Sequence, residues 1–423
     1  MSRPCAVPDG PRRLRILTLL DTLRPGGAER VAVTVAARLD RNRFEPLVCV
    51  SRRESWTPLR EILESADVPL ITLDRTHRAA LWSWGPFVTL LRRARIDVLH
   101  SHMFGSNVWG TVFGRLMGVP VVVAHEHGWS FERNPLRYAV DRELIGRGAD
   151  VLVAVSRADR ARIVELERVP TGKVRFIPNR IVPLPPPRLV LRSELGLPDA
   201  APVIGTLTVL RPEKALDVLV EATALLRPQF PELRVLIAGT GPDEERLRSL
   251  IHARGLDRTV LLLGFRANVA DVLASLDVAI FTSDREGSPL AVIEAMAAGK
   301  PIVATRVGGI PALVHDEEQA LLAPPRDAPA LAEAVGRLLR DRELREQLGR
   351  NAQQRQRRKF DIEASVEAVE DLYEQLFAAS RRGRREALRG SAPYSAAGAA
   401  RCWRPLGRPA TFRGQQRGNE TDR

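Results

Sequence analysis

Lysine is nearly missing from this chain. Of 64 basic residues only Lys173, Lys214, Lys300 and Lys359 are lysines, and the other sixty are arginines. That skew is a compositional habit of the chain and makes each lysine conspicuous. Cysteine is as scarce: Cys5, Cys49 and Cys402 are scattered with no CxxC pair. This argues against a disulfide framework or a zinc ribbon and fits a reducing cytoplasm. No apolar run approaches the roughly 20 residues that span a bilayer. Ile16–Leu20, behind Arg12, Arg13 and Arg15, is short for a secretion signal and reads as a buried strand. The chain also lacks GxGxxG, GxxxxGK[ST] and Asp-x-Asp, so a dinucleotide fingerprint, a P-loop and a metal-chelated diphosphate are not expected. Gly239-Thr240-Gly241 comes nearest to the first, but Glu244 stands at the third glycine position.

What remains is ample for folding. The 423 residues are 44% hydrophobic and 27% charged, enough for two or three domains with substantial cores. The net charge of +13 invites a nucleic-acid reading. Its distribution removes that reading: residues 381–423 hold 11 arginines against Glu386, Glu420 and Asp422, leaving +5 for the other 380 residues. No nucleic-acid partner is expected. The arginine-rich tail is instead a candidate for an anionic membrane surface, which makes the expected location cytoplasmic, peripheral at the inner face of the membrane.

Short Val/Ile/Leu-rich runs alternate with amphipathic stretches, the pattern of parallel sheets covered on both faces. Strands are expected at Arg15–Leu20, Pro46–Val50, Pro69–Leu73, Asp97–His100, Pro120–Ala124 and Val151–Val155. After Ile181-Val182-Pro183-Leu184-Pro185-Pro186-Pro187 the alternation restarts at Val203–Leu207, Arg234–Ala238, Val260–Leu263, Val278–Thr282 and Pro301–Ala304. The expected organisation is an N-terminal Rossmann-like domain over 12–182, a proline-rich linker over 183–188 and a C-terminal Rossmann-like domain over 189–360. A helix over 361–380 returning to the first domain and a disordered basic tail over 381–423 complete it. Two doubly wound halves imply a cleft at the carboxyl ends of their strands.

Three strand-end segments carry chemistry. Gly26-Gly27 opens a helix, where backbone N–H groups can meet an anion. Arg211 and Lys214 sit in the loop after Leu207, a fork and a point charge suited to a diphosphate. In Glu286-Gly287-Ser288-Pro289-Leu290-Ala291-Val292-Ile293-Glu294, Ser288 is the expected N-cap and Pro289 the first helical residue. Glu286 and Glu294, flanking that helix start, can hold hydroxyls at two ends of one polyhydroxylated ligand. His100-Ser101-His102 and His125-Glu126-His127 both have H-x-H spacing, but neither shows a third ligand, so no metal site is expected.

These motifs, with Ala238-Gly239-Thr240-Gly241-Pro242 and Gly308-Gly309-Ile310-Pro311, resemble the retaining glycosyltransferases of family 4, group 1, over roughly residues 14 to 380. The resemblance implies an α/β GT-B fold, two Rossmann-like domains facing each other across a cleft, with 12–182 the acceptor domain and 189–360 the nucleotide-sugar domain. It implies a UDP-, GDP- or ADP-sugar donor as co-substrate, no cofactor, and a glycan or lipid-linked envelope acceptor. By resemblance Glu294 binds the ribose and Glu286 the transferred sugar. Arg211, Lys214, the Gly27 N–H and the helix start at Gly287, Ser288, Pro289 and Leu290 meet the diphosphate. His127 lies beside the donor sugar, and Arg266 falls where base contacts are made. Departures from the pattern are Glu317, Ala320 and Arg326 in place of glycines, and Arg180 after Pro178-Asn179. A nucleotide-sugar epimerase, a sugar phosphorylase or a non-catalytic nucleotide-sugar module remains as an alternative.

Overall fold

The computed structural model describes residues 12–52, 57–75, 81–128, 134–198 and 200–390. Its first half runs β1 (Leu14–Leu20), α1 (Gly27–Arg38), β2 (Phe44–Val50), α2 (Pro58–Ser65), β3 (Leu70–Thr72), α3 (Gly85–Arg93) and β4 (Val98–His102). It continues through α4 (Phe104–Leu116), β5 (Val121–Glu126), α5 (Pro135–Val140), β6 (Val151–Ala154), α6 (Arg157–Glu165) and β7 (Val174–Phe176). Seven parallel strands lie in the order β3-β2-β1-β4-β5-β6-β7.

The second half runs α7 (Leu191–Glu194), β8 (Val203–Leu207), α8 (Leu216–Leu226), β9 (Arg234–Ala238), α9 (Glu244–Ala253), β10 (Val260–Gly264), α10 (Val269–Ser275) and β11 (Val278–Phe281). Then come α11 (Leu290–Ala297), β12 (Ile302–Thr305), α12 (Ile310–Leu313), β13 (Ala320–Ala323), α13 (Ala328–Arg340), α14 (Arg342–Lys359) and α15 (Glu363–Gly390). Six parallel strands lie in the order β10-β9-β8-β11-β12-β13. Both sheets are doubly wound, so each central strand is buried on both faces: Ile16, Leu17, Leu19 and Leu20 in β1, and Val278, Ala279 and Ile280 in β11, have no exposed surface.

Two features depart from the sequence expectations. The edge strands β7 and β13, of three and four residues, are not among the strands expected from the sequence. The final helix does not stop at Ser380 but runs to Gly390, so residues 381–390 belong to α15 and not to a disordered tail. The remainder of that tail, 391–423, lies outside the described residues.

After Lys359 the chain crosses to the first half. Val366, Val369, Leu372 and Tyr373 of α15 are buried. Glu370 accepts from the Asp40 N–H at 2.7 Å and from Arg43 at 3.0 Å, and Glu363 pairs with Arg38. No helix among the described residues is long and apolar enough to cross a membrane.

Candidate active site

Both sheets direct the carboxyl ends of their central strands at one cleft. On the second half, β11 ends at Phe281, and Thr282, Ser283 and a glycine-containing turn lead into α11. Pro289 is the N-cap and Leu290 the first helical residue, one position later than the sequence suggests. Ser288 therefore does not cap. Its Oγ is buried with no hydrogen-bond partner among the described residues, while its carbonyl accepts from Asn179 Nδ2 at 3.0 Å.

Glu286 accepts from Lys214 Nζ at 2.6 Å and from Ser283 Oγ at 2.6 Å. Lys214 is presented by a tight 3-10 turn over Pro212–Lys214, closed by Ala215 in the left-handed region at φ 49°. Its carbonyl accepts from Thr282 Oγ1 at 2.9 Å, tying this loop to the end of β11. Arg211 lies at the rim, its side chain 56% exposed and 3.8 Å from Glu213, with guanidinium surface turned to solvent.

Glycines bring the two halves together. A Cβ on Gly287 would stand 2.9 Å from the His127 carbonyl oxygen, 3.0 Å from Asp159 Oδ2 and 3.2 Å from Gly128 Cα. A Cβ on Gly27, at the start of α1, would stand 3.6 Å from Leu290 Cγ. Gly26 is the α1 N-cap, and a Cβ there would overlap Glu29. Gly308, at φ 51°, and Gly309 let their loop lie directly on the backbone of Glu286 and Gly287, where the Gly309 N–H donates to the Glu286 carbonyl at 3.0 Å.

The two H-x-H segments meet. β4 and β5 pair with His102 opposite His125, so His100, His102, His125 and His127 form one stack with ring centroids 4.2 to 5.3 Å apart. His102 Nδ1 and His127 Nε2 are 2.9 Å apart, His100 Nε2 and His125 Nδ1 3.2 Å, and His100 Nδ1 lies 2.6 Å from Tyr373 Oη. Burial pushes His100 and His127 down to about 3, and His102 and His125 well below the usual range. All four are neutral at pH 7. His100, His102 and His125 place nitrogens within 4.8 Å of one another, a spacing a metal ion can use. The third histidine missing from each H-x-H pair is thus supplied by the neighbouring strand. Here the nitrogens are largely taken by one another and by Tyr373. His127 Nδ1 and His125 Nε2 have no partner among the described residues.

Glu126, between two of these histidines, is pushed up to about 8 by burial, against the opposing charge of Arg137 at 2.8 Å. Asp159 is raised by burial too, and the Glu286 charge adds to that direction.

Two residues, Arg30 and Asp159, stand out that sequence reasoning missed. Arg30, one turn into α1, pairs with Glu294, joining the two halves. Asp159 faces Gly287, and His102 holds His127. Arg266 falls in a different cavity from the one that Glu294 lines. Its side chain lines a cavity of about 700 Å³ with α9 and β10, and Ala267, Asn268 and Val269 line a different one of about 380 Å³ with Arg30 and Glu294.

Where the resemblance leads one to expect glycine, Glu317 and Arg326 keep left-handed backbone, at φ 59° and 60°. This costs about 1–2 kcal/mol each relative to glycine. Arg326 is held there by Asp217 at 2.8 Å and by Asp284.

Facing parallel α/β halves, with paired acids, cations and helix N-termini between them, define the GT-B class of glycosyltransferases. The fold overlays at TM-score 0.76 on Anabaena Alr3699/HepE solved with UDP-glucose, covering 86% of this chain and 100% of that one at 23% identity. The family model described as "Glycosyl transferases group 1" matches residues 188–355, and "Glycosyltransferase Family 4" matches 25–183. The D-inositol 3-phosphate glycosyltransferase of Corynebacterium jeikeium is 31% identical over 69% of this chain and 75% of that protein. The UDP-Gal:alpha-D-GlcNAc-diphosphoundecaprenol alpha-1,3-galactosyltransferase of Escherichia coli is 24% identical over 82% and 93%. The chain belongs to glycosyltransferase family 4, group 1, and is an enzyme of the EC 2.4 class.

Proposed function

We propose that this enzyme moves a sugar from a UDP-, GDP- or ADP-sugar to a glycan or lipid-linked envelope acceptor, with retention of configuration and without a bound metal. The observation that carries the donor reading is the meeting of Lys214, Glu286, Glu294 and the α11 N-terminus at one cleft wall. Glu294 takes the ribose, and Glu286, oriented by Lys214 and Ser283, takes hydroxyls of the sugar.

As the glycosidic bond breaks, negative charge develops on the leaving diphosphate. Arg211 and Lys214 stabilise that charge together with the backbone N–H groups of Gly27 and of the α11 start, supplying what a metal would otherwise supply. His127 is neutral, so it serves the sugar as a hydrogen-bonding group through Nδ1 and not as a cation. No carboxylate is assigned as nucleophile, because Glu286 is tied to Lys214 and Glu294 to Arg30. Same-face attack with the leaving phosphate as base accounts for retention. The lipid-linked acceptor of the E. coli relative supports an envelope acceptor, and the arginine-rich tail fits one at an anionic membrane face.

A thermal-shift screen over UDP-, GDP- and ADP-sugars, with and without EDTA, tests this. One donor at 100 times its dissociation constant is expected to stabilise the wild type by about 2.7 kcal/mol, with EDTA changing nothing, and to stabilise Glu294→Ala far less. No shift with any donor, or one abolished by EDTA, contradicts the proposal.

A further inference from the structure

α11 is apolar on nearly every side: Leu290, Val292, Ile293, Ala295 and Met296 are all buried around Glu294, which is itself 4% exposed. A carboxylate in such a place needs a cation. Among the described residues the second half supplies none. Arg30 of α1 donates through Nη2 to Glu294 Oε1 across the cleft. One turn earlier on each helix, a Cβ on Gly27 would stand 3.6 Å from Leu290 Cγ, so α1 and α11 approach through their first turns. Among the described residues Oε2 of Glu294 has no partner. The cavity of about 380 Å³ beside the pair is lined by both residues, by Leu290 and Asn268, and by the linker from Arg180 to Pro185.

We infer that Arg30 is a positioning residue for the donor nucleotide. Resting on the assignment of Glu294 to the ribose, the inference is that Arg30 holds that carboxylate in one orientation and leaves Oε2 for the ribose hydroxyls. The ribose site is then built from both domains and is complete only when they are closed. Bare Glu294, with its partner withdrawn, is a buried carboxylate that no longer has a fixed orientation. Ribonucleotide affinity is therefore linked to domain closure, because the form that binds ribose best is the one in which the pair exists. The ion pair also cancels a negative charge that would otherwise face an incoming diphosphate.

Calorimetric titration of UDP, GDP and ADP, each beside its 2′-deoxy counterpart, tests the inference. The proteins are wild type, Arg30→Ala, Arg30→Lys, Glu294→Gln and the Arg30→Ala/Glu294→Gln double variant. For the nucleotide that wild type binds, Arg30→Ala is expected to weaken the ribo form about tenfold or more and to shrink the preference for ribo over deoxy. Arg30→Lys restores part of both, and the double variant is no worse than Glu294→Gln alone. If Arg30→Ala does not fold at the titration temperature, Arg30→Gln carries the same comparison. A wild-type ribo preference in the Arg30 variant, with Glu294→Gln abolishing it, overturns the role of Arg30 and leaves the donor site standing. No nucleotide binding by folded wild type, or a ribo preference that survives Glu294→Gln, overturns the donor assignment and this inference with it.

Discussion

Lys214 Nζ lies 2.6 Å from Glu286 Oε1, although 72 positions separate the two residues in the chain. Their side chains are 22% and 12% exposed, so the pair sits at the cleft wall and not in bulk solvent. Removing the cation leaves a mostly buried carboxylate beside the diphosphate position. Lys214→Ala is expected to lower transfer at least 100-fold and to cost about 1–3 kcal/mol of stability, read by steady-state kinetics and urea titration. Lys214→Arg keeps the charge and is expected to recover most of the stability but little of the activity, because a planar fork does not fit a point-charge site.

The contact between Gly287 and the His127 carbonyl predicts a separable effect. A methyl at Gly287 meets backbone of the opposite half at 2.9 to 3.2 Å. Gly287→Ala is expected to leave both halves folded while lowering kcat at least tenfold by holding the cleft open. Far-UV circular dichroism and small-angle scattering check it: native secondary structure with a larger radius of gyration on nucleotide addition than wild type.

The histidine stack predicts acid sensitivity with a definite sign. Folded-state values lowered by burial mean that unfolding takes up protons at mildly acid pH. Stability is then fully present above the unfolded histidine range near 6.5 and is lost as pH falls toward about 3, at about 1.4 kcal/mol per pH unit for each proton taken up. Melting temperatures measured from pH 7.5 to 5 are expected to fall steeply, and His125→Asn is expected to flatten that slope.

Tyr373 couples the last helix to the same stack. Its hydroxyl is 2.6 Å from His100 Nδ1 and fully buried. Tyr373→Phe leaves that nitrogen unpaired and is expected to cost about 1–3 kcal/mol in chemical denaturation, with the nucleotide affinity unchanged.

The sheets were legible because buried parallel strands read as Val/Ile/Leu runs. β7 was not, since Arg175 interrupts its three residues, and β13 was missed although Ala320–Ala323 is an apolar run. The helix start was legible to within one residue: Ser288 looked like a cap, yet the chain keeps its hydroxyl unpaired in the site. Glu286, Glu294 and Lys214 were readable singly from residue type and spacing. Their pairing depends on tertiary register that no local pattern encodes. The histidines show the same limit, since each H-x-H is local but the facing of His102 and His125 is a property of the β4–β5 pairing. Arg30 escaped notice because Val31, Val35 and Leu39 mark the core stripe of α1. Arg30 lies off that stripe and pairs with Glu294 of the second half.

The most direct test of the central claim is release of nucleoside diphosphate from the sugar donor that stabilises the enzyme, measured in EDTA with a lipid-linked acceptor panel. Wild type is predicted to turn over, and the Arg211→Ala/Lys214→Ala double variant to fall at least 100-fold while remaining folded. A double variant that keeps the wild-type rate would contradict electrostatic stabilisation of the leaving diphosphate by these two residues.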